Sequence, residues 1–157
     1  VRKWLKQNNY SSGAVSIDTS DWYYNSRYLS WKKNHQDQST ETIKKAYLDH
    51  LWDRAQYYDS LSNKILNRSA KHVMLLHANA INAAYLGDII DRFRSNGLEF
   101  ISPEIAYEDP LYEKQPDILP AGESLLWSLA KQQNFKNLRY PAEDSIYEKT
   151  IIDKLNL

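Results

Sequence analysis

The spacing of hydrophobic and polar residues predicts three short strands along the chain. Residues 14–18 alternate, with Val15 and Ile17 on one face, which is typical of a half-buried strand. Residues 71–77 have an almost unbroken apolar centre, as expected for a parallel strand that helices cover on both faces. Residues 98–102 form a third and shorter candidate strand.

Helical spacing accounts for most of the remaining sequence. Residues 26–67 favour helix but are interrupted by the polar stretch 34–39, so two helices are expected there. A further helix is predicted between Asn79, as its N-cap, and Gly97, as its left-handed terminator. The order strand, helix, strand over residues 71–102 indicates a βαβ unit, which implies parallel strands joined by a right-handed crossover.

The succession of elements predicts an α/β domain over residues 1–109 and a helical C-terminal extension over residues 110–157. Prolines punctuate the extension, in which helices are expected around 122–133 and 144–155, packed on the α/β part. Three strands are too few to close a barrel, which usually needs about eight. Because the chain also opens at Val1 without an initiator Met, we expect it to be cut from a longer protein.

Composition narrows the function classes. The 157 residues include 20 basic and 20 acidic side chains, so no electrostatic footprint for a nucleic acid is expected. No apolar run reaches the roughly 18 to 20 residues of a membrane helix, and without cysteine there is neither a disulfide nor a thiolate site. The four glycines are too dispersed for a nucleotide-binding loop. The many Tyr and Trp residues suit either a core or a sugar platform.

Three residues stand where parallel α/β folds place their sites, at or just past the carboxyl ends of two predicted strands. His77 closes the second strand and shares a face with Leu75, and the pair Asp21 and Trp22 follows the first strand. We expect Asp21 to pair with His77, because a carboxylate close to an imidazole stabilises the imidazolium, which makes a competent general acid. The alternative is that His77 caps a backbone group, that Asp21 forms a turn and that Trp22 covers the core.

The other histidines do not suggest a metal site. His72 and His77 lie five residues apart on one predicted strand, so their side chains are expected on opposite faces. His35 lies in a polar stretch and His50 among charged helical residues, and both are expected to be solvated at the surface. We therefore predict no metal site within the chain.

Short motifs give the chain a resemblance to a known family. The segments 17–22 (IDTSDW) and 73–77 (VMLLH) resemble the Asp-Trp and Leu-x-His motifs of the polysaccharide deacetylases, the NodB-homology enzymes of carbohydrate esterase family 4. Residues 77–80, 100–104 and 121–127 resemble a bacterial branch of the same family. The resemblance implies the C-terminal portion of a distorted (β/α) barrel of the NodB type.

The resemblance also implies roles for the residues of the two motifs. His77 would be the general acid that protonates the departing sugar amine, and Asp21 would tune it. Trp22 and Leu75 would line the pocket for the acetyl methyl group. The substrate would be a polysaccharide with N-acetylhexosamine units, and the reaction would be hydrolysis of the N-acetyl group with release of acetate.

The earlier motifs of the family have no counterpart in the sequence. They are an Asp-Asp pair that supplies the base and a metal ligand, a His-x-x-x-His pair that completes the site of a divalent metal, expected to be zinc, and an Arg-x-Pro segment. The resemblance therefore implies a missing N-terminal half of the same barrel, no activity of this chain alone, and a periplasmic or secreted location. The alternative is a non-catalytic carbohydrate-binding or scaffold module that uses its aromatic residues as sugar platforms.

Overall fold

The computed structural model describes residues 1–120, 123–139 and 146–157, and helices dominate these ranges. The described residues contain seven α-helices and one short 3-10 helix over Pro110–Glu113. The α-helices are α1 (Arg2–Gln7), α2 (Asp21–Asn34), α3 (Glu41–Leu66), α4 (Ala80–Ser95), α5 (Pro103–Tyr107), α6 (Leu125–Gln132) and α7 (Ile146–Lys154).

The prediction of an α/β barrel fragment with a parallel sheet is wrong. Helix accounts for 58% of the structure and strand for 1%, and the described residues contain no sheet. The segments 14–18 and 71–77 do lie side by side, but a single parallel bridge between Ile17 and Met74 is all that joins them as strand. The predicted strands are therefore extended segments of a mostly helical protein.

Side chains, rather than a continuous backbone ladder, complete the hydrogen bonds between the two extended segments. The Ser16 hydroxyl oxygen accepts the Val73 N–H at 2.9 Å, and the Thr19 hydroxyl donates to the Leu75 carbonyl at 2.8 Å. Only a few backbone bonds, such as Leu75 N–H to the Ile17 carbonyl at 3.0 Å, remain for pairing. Apolar spacing predicts which residues are extended. It does not show whether the N–H and C=O groups of those residues bond to backbone or to side-chain partners.

The third predicted strand, residues 98–102, is attached to the end of α4. The Leu98 N–H donates to the Phe93 carbonyl at 3.1 Å, and the ring of Phe100 stacks on that of Phe93 with centroids 6.5 Å apart. Leu98, Phe100 and Ile101 are exposed. The predicted N-cap of α4 is confirmed, because Asn79 accepts the Asn82 N–H, and Gly97 adopts the expected left-handed conformation with φ of 84°.

Helix α3 lies at the centre of the core and packs against α4, α6 and α7, while α2 packs against α4. The predicted interruption at 34–39 separates α2 from α3. The helices predicted around 122–133 and 144–155 are observed as α6 and α7, and residues 122 and 144–145 of these predictions lie outside the described residues. The buried face of α3 includes Ile43, Tyr47, Leu51, Ala55, Tyr58 and Leu61. Each large side chain buried there contributes about 1.5 to 3 kcal/mol to folding.

A buried ion pair joins α3 to α7. The Arg54 guanidinium donates to Glu148 Oε1, and both side chains are almost completely buried. The Ser20 hydroxyl donates to the same carboxylate oxygen at 3.4 Å. Ser20 has a left-handed backbone with φ of 50° immediately before α2, a conformation that costs a non-glycine residue of the order of 1 kcal/mol. The pair therefore lies directly behind the turn that starts α2.

His50, which was expected at the surface, is instead buried. It lies one helical turn from Tyr47 and Arg54, on the face of α3 that the core covers, and its Nε2–H donates to the Thr19 carbonyl at 2.6 Å. Its ring stacks on Tyr24 with centroids 4.5 Å apart. Burial lowers the pKa of His50 to about 4, and the neighbouring Arg54 lowers it as well.

This buried histidine predicts a loss of stability in mild acid. Below about pH 6.5 the imidazole of an unfolded chain takes up a proton, whereas folded His50 stays neutral down to about pH 4. The unfolded state then binds more protons, so the free energy of unfolding falls by roughly 2 to 3 kcal/mol between these pH values. Urea unfolding at pH 7 and pH 4.5 measures this fall. We expect His50→Gln to lose most of the pH slope and His35→Gln, at the end of α2, to keep it; an equal slope in both variants would contradict the assignment.

Candidate functional site

The structure brings Asp21 and His77 together. The bridge between Ile17 and Met74 aligns the two extended segments, so the start of α2 and the end of the second segment meet on one side of the molecule. His77 Nδ1 lies 2.6 Å from Asp21 Oδ1. The contact expected from the sequence is therefore present, although the extended segments that deliver the two residues do not belong to a sheet.

The Asp21 carboxylate is surrounded by hydrogen-bond donors. It is 1% exposed, and its Oδ2 accepts the His77 N–H at 2.8 Å, Asn79 Nδ2 at 2.9 Å and Asn82 Nδ2 at 2.7 Å. With His77 Nδ1 on the other oxygen, four donors converge on one carboxyl group. This environment suits a carboxylate that only accepts hydrogen bonds, and it fixes the orientation of the group.

The His77 ring is half-exposed, with 52% of its side chain accessible to solvent. Because Asp21 holds Nδ1, Nε2 is the ring nitrogen that remains for exchange with a bound molecule. In the neutral ring Nδ1–H donates to Asp21 and Nε2 is an acceptor, whereas in the imidazolium both nitrogens donate. The arrangement can therefore accept and release a proton at Nε2 while the carboxylate keeps the ring in place.

Trp22 and Leu75, which lie close in sequence to Asp21 and His77, expose apolar surface. Trp22 follows Asp21 directly and is 42% exposed, and its ring meets the edge of Tyr23 at 5.8 Å. Leu75 precedes His77 by two residues and is 36% exposed. An apolar group that approached His77 would find both side chains accessible, but their role in holding an acetyl methyl group stays a prediction.

Two surface depressions lined by described residues lie away from this pair. One of about 510 Å³ is lined by residues 97–100 and Arg94, at the C-terminal end of α4. His77 lies beyond the opposite end of that helix, whose 16 residues span about 24 Å. A second depression of about 240 Å³ lies between α3 and Arg92. The Asp–His contact, rather than either depression, is the arrangement capable of proton transfer.

Two residues of the site, Asn82 and Tyr47, were not expected from the sequence. Asn82 lies on the buried face of α4, and its Nδ2 donates to the His77 carbonyl at 2.9 Å as well as to Asp21. Tyr47, from α3, donates its hydroxyl to Asn82 Oδ1 at 2.6 Å. The signal in the sequence was an asparagine at a core-facing position, one turn after the capping Asn79.

Comparison with known proteins adds no relative. Neither protein-family models, nor curated proteins, nor solved structures gave a match. The candidate site therefore rests on its residues and their geometry. The resemblance of the motifs around Asp21 and His77 to the polysaccharide deacetylases stays a prediction.

The side chains of the site are not arranged to bind a metal ion. Both oxygens of Asp21 are engaged by four donors, which a cation would have to displace. Asp18 Oδ1 accepts the Ser20 N–H at 3.3 Å. Within the described ranges no group of three or more His, Cys, Asp or Glu residues is placed to hold a metal.

In the same part of the chain, no helix is long and apolar enough to cross a membrane.

A second histidine lies in a chain of polar contacts that resembles a catalytic triad. His72 Nδ1 lies 3.1 Å from Ser16 Oγ, and His72 Nε2 lies 3.2 Å from Asp59 Oδ1. Ser16 is completely buried, and its hydroxyl oxygen also accepts the Val73 N–H and the Tyr112 O–H. Burial lowers the pKa of His72. These contacts join the two extended segments and leave no path for a substrate to reach the serine.

Proposed function

We propose that His77, held by Asp21, donates a proton to the departing amine in the hydrolysis of N-acetyl groups on a polysaccharide. The observation that supports this proposal is the 2.6 Å contact between the buried carboxylate and the half-exposed imidazole. The resemblance of the surrounding motifs supplies the substrate class, N-acetylhexosamine units. The products are acetate and a free sugar amine.

Proton donation is the step for which this geometry is suited. An amine leaves a tetrahedral adduct only after its nitrogen is protonated, because the amide anion is too basic to depart. His77 Nε2–H supplies that proton as the carbon–nitrogen bond breaks, and the electron pair of the bond stays on nitrogen. Asp21 stabilises the imidazolium before the transfer without taking the proton itself.

In this proposal the chain supplies the proton donor and the apolar contacts to the acetyl group. Trp22 and Leu75 would contact the acetyl methyl group with their exposed apolar surface. The resemblance implies that the base and the ligands of a divalent metal, expected to be zinc, are residues outside these 157, so the chain alone would be inactive. It also implies a periplasmic or secreted location.

A second candidate function is carbohydrate binding without catalysis. The exposed rings of Trp4 and Tyr10 stack with centroids 5.9 Å apart, and aromatic faces of this kind bind sugar rings. This alternative needs no proton transfer. It predicts that His77 can be replaced without loss of sugar binding.

Acetate release separates the two functions. The complete product of the gene that encodes this chain is incubated with zinc and N-acetylated oligosaccharides derived from peptidoglycan, chitin and acetylated exopolysaccharide. We expect enzymatically detected acetate from at least one of them, and none from the 157-residue chain alone. Sugar binding without acetate release would support the carbohydrate-binding module instead. Neither binding nor release would overturn both proposals.

A further inference from the structure

We propose that Asn79, Asn82 and Tyr47 are positioning residues that set how strongly Asp21 stabilises the His77 imidazolium. The inference deepens the proposed function, on which its catalytic meaning rests. It starts from the asymmetry of the carboxylate, whose Oδ1 contacts the imidazole while its Oδ2 accepts three N–H groups. Two of these donors are side-chain amides from the start of α4.

Tyr47, Asn82 and Asp21 form a directed chain of hydrogen bonds, and Asn79 donates to Asp21 separately. Tyr47 donates to Asn82 Oδ1 at 2.6 Å, and Asn82 Nδ2 donates to Asp21 at 2.7 Å and to the His77 carbonyl at 2.9 Å. The opposite orientation of the Asn82 amide would place its oxygen against the carboxylate, which has no proton to give. Tyr47 thus fixes the amide so that its N–H groups face Asp21.

Each donor withdraws negative charge from the carboxylate. An oxygen that accepts several N–H groups is a weaker base, so it stabilises an adjacent imidazolium less strongly. The effect is larger around a buried carboxylate than in water, because the local dielectric constant is low. The two asparagines would therefore keep Asp21 from stabilising the His77 imidazolium so strongly that Nε2–H no longer gives its proton to a substrate.

Other titratable groups around the pair are few among the described residues. On α3, Tyr47 faces Asn82, and its burial raises its pKa, so its hydroxyl stays a donor near neutral pH. His50, also on α3, contacts the Thr19 carbonyl, and Asp18 accepts from Ser20. Asn25 of α2 accepts the Ile81 N–H and carries no charge. The first acidic residue of α4 is Asp88, well along the helix.

The test follows the titration of the His77 ring by NMR, with the His77→Gln spectrum used to assign its signal. Asn79→Ser keeps the helix cap, because serine caps as well as asparagine, but it removes the amide donor to Asp21. We expect the His77 titration midpoint to move to higher pH by about half a unit. A role of Asn79 in capping alone would leave the midpoint unchanged.

A second variant removes the first donor of this hydrogen-bond chain, the Tyr47 hydroxyl. Tyr47→Phe deletes the hydroxyl that orients Asn82 and is expected to move the His77 midpoint in the same direction as Asn79→Ser. Tyr24→Phe is the matched control, because the two rings lie 5.4 Å apart in the same core, and the Tyr24 hydroxyl has no hydrogen-bond partner among the described residues. Tyr24→Phe should leave the midpoint where it is.

The outcomes distinguish this inference from the proposed function. Midpoints within about 0.1 unit of the unaltered chain in both Asn79→Ser and Tyr47→Phe would overturn the tuning role. Shifted midpoints in a protein whose complete gene product releases no acetate would leave the tuning intact and refute the deacetylase function. Where acetate is released, the pH–rate profile of Asn79→Ser should move in the same direction as its titration.

Discussion

Glu148→Ala lowers the free energy of unfolding by about 3 to 5 kcal/mol, because it removes the carboxylate that contacts the buried Arg54 guanidinium. The substitution also removes the acceptor of the Ser20 hydroxyl, next to the left-handed turn that starts α2. Urea unfolding followed by far-ultraviolet circular dichroism measures the loss. The expected loss reflects the cost of keeping a buried guanidinium after one of its contacts is removed, and not the strength of the ion pair itself.

Two further variants test that explanation. Replacing Arg54 and Glu148 together by leucine should recover a large part of the lost stability, because no charge then remains buried. Asp153→Ala, also on α7, breaks the ion pair with Arg27, in which both side chains are partly exposed, and should cost less than about 1 kcal/mol. A loss for Glu148→Ala no greater than that for Asp153→Ala would contradict the burial of the pair.

His77→Ala slows acetate release by the complete gene product about 100- to 10,000-fold, the usual contribution of a general acid. The expected loss is in kcat, with little change in KM, because the imidazole acts when the amine leaves and not when the sugar binds. The half-exposed ring itself buries little, but Asp21 Oδ1 loses its donor, so we also expect a stability loss of about 1 to 3 kcal/mol. Steady-state kinetics at several oligosaccharide concentrations separate the two constants. An unchanged kcat would exclude His77 as the proton donor.

The juxtaposition of Asp21 and His77 was predictable from the sequence, whereas the architecture that delivers it was not. Both residues follow extended apolar segments, and parallel alignment of two such segments brings their ends together whether or not a sheet forms. The predicted sheet is not observed, because the side chains of Ser16 and Thr19 make hydrogen bonds to the backbone of the second segment in place of a strand ladder. Hydrophobic spacing does not distinguish such contacts from a strand ladder.

The residues behind the site were missed for a different reason. His50 stands beside charged residues in the sequence, which suggested the surface, but its step from Tyr47 places it on the buried face of α3. The contact between Tyr47 and Asn82 joins residues 35 positions apart, and Arg54 and Glu148 are 94 positions apart. Pairings of buried polar groups over such separations depend on the three-dimensional packing, which local periodicity does not specify.

The most direct test of His77 as proton donor compares two leaving groups. A phenolate leaves an aryl acetate as a stable anion and needs no proton, whereas the sugar amine must be protonated. With the complete gene product, we predict that His77→Ala reduces kcat on an N-acetylated oligosaccharide about 100-fold or more and changes kcat on p-nitrophenyl acetate by less than about tenfold. An equal loss on both substrates would contradict proton donation by His77 to the leaving group.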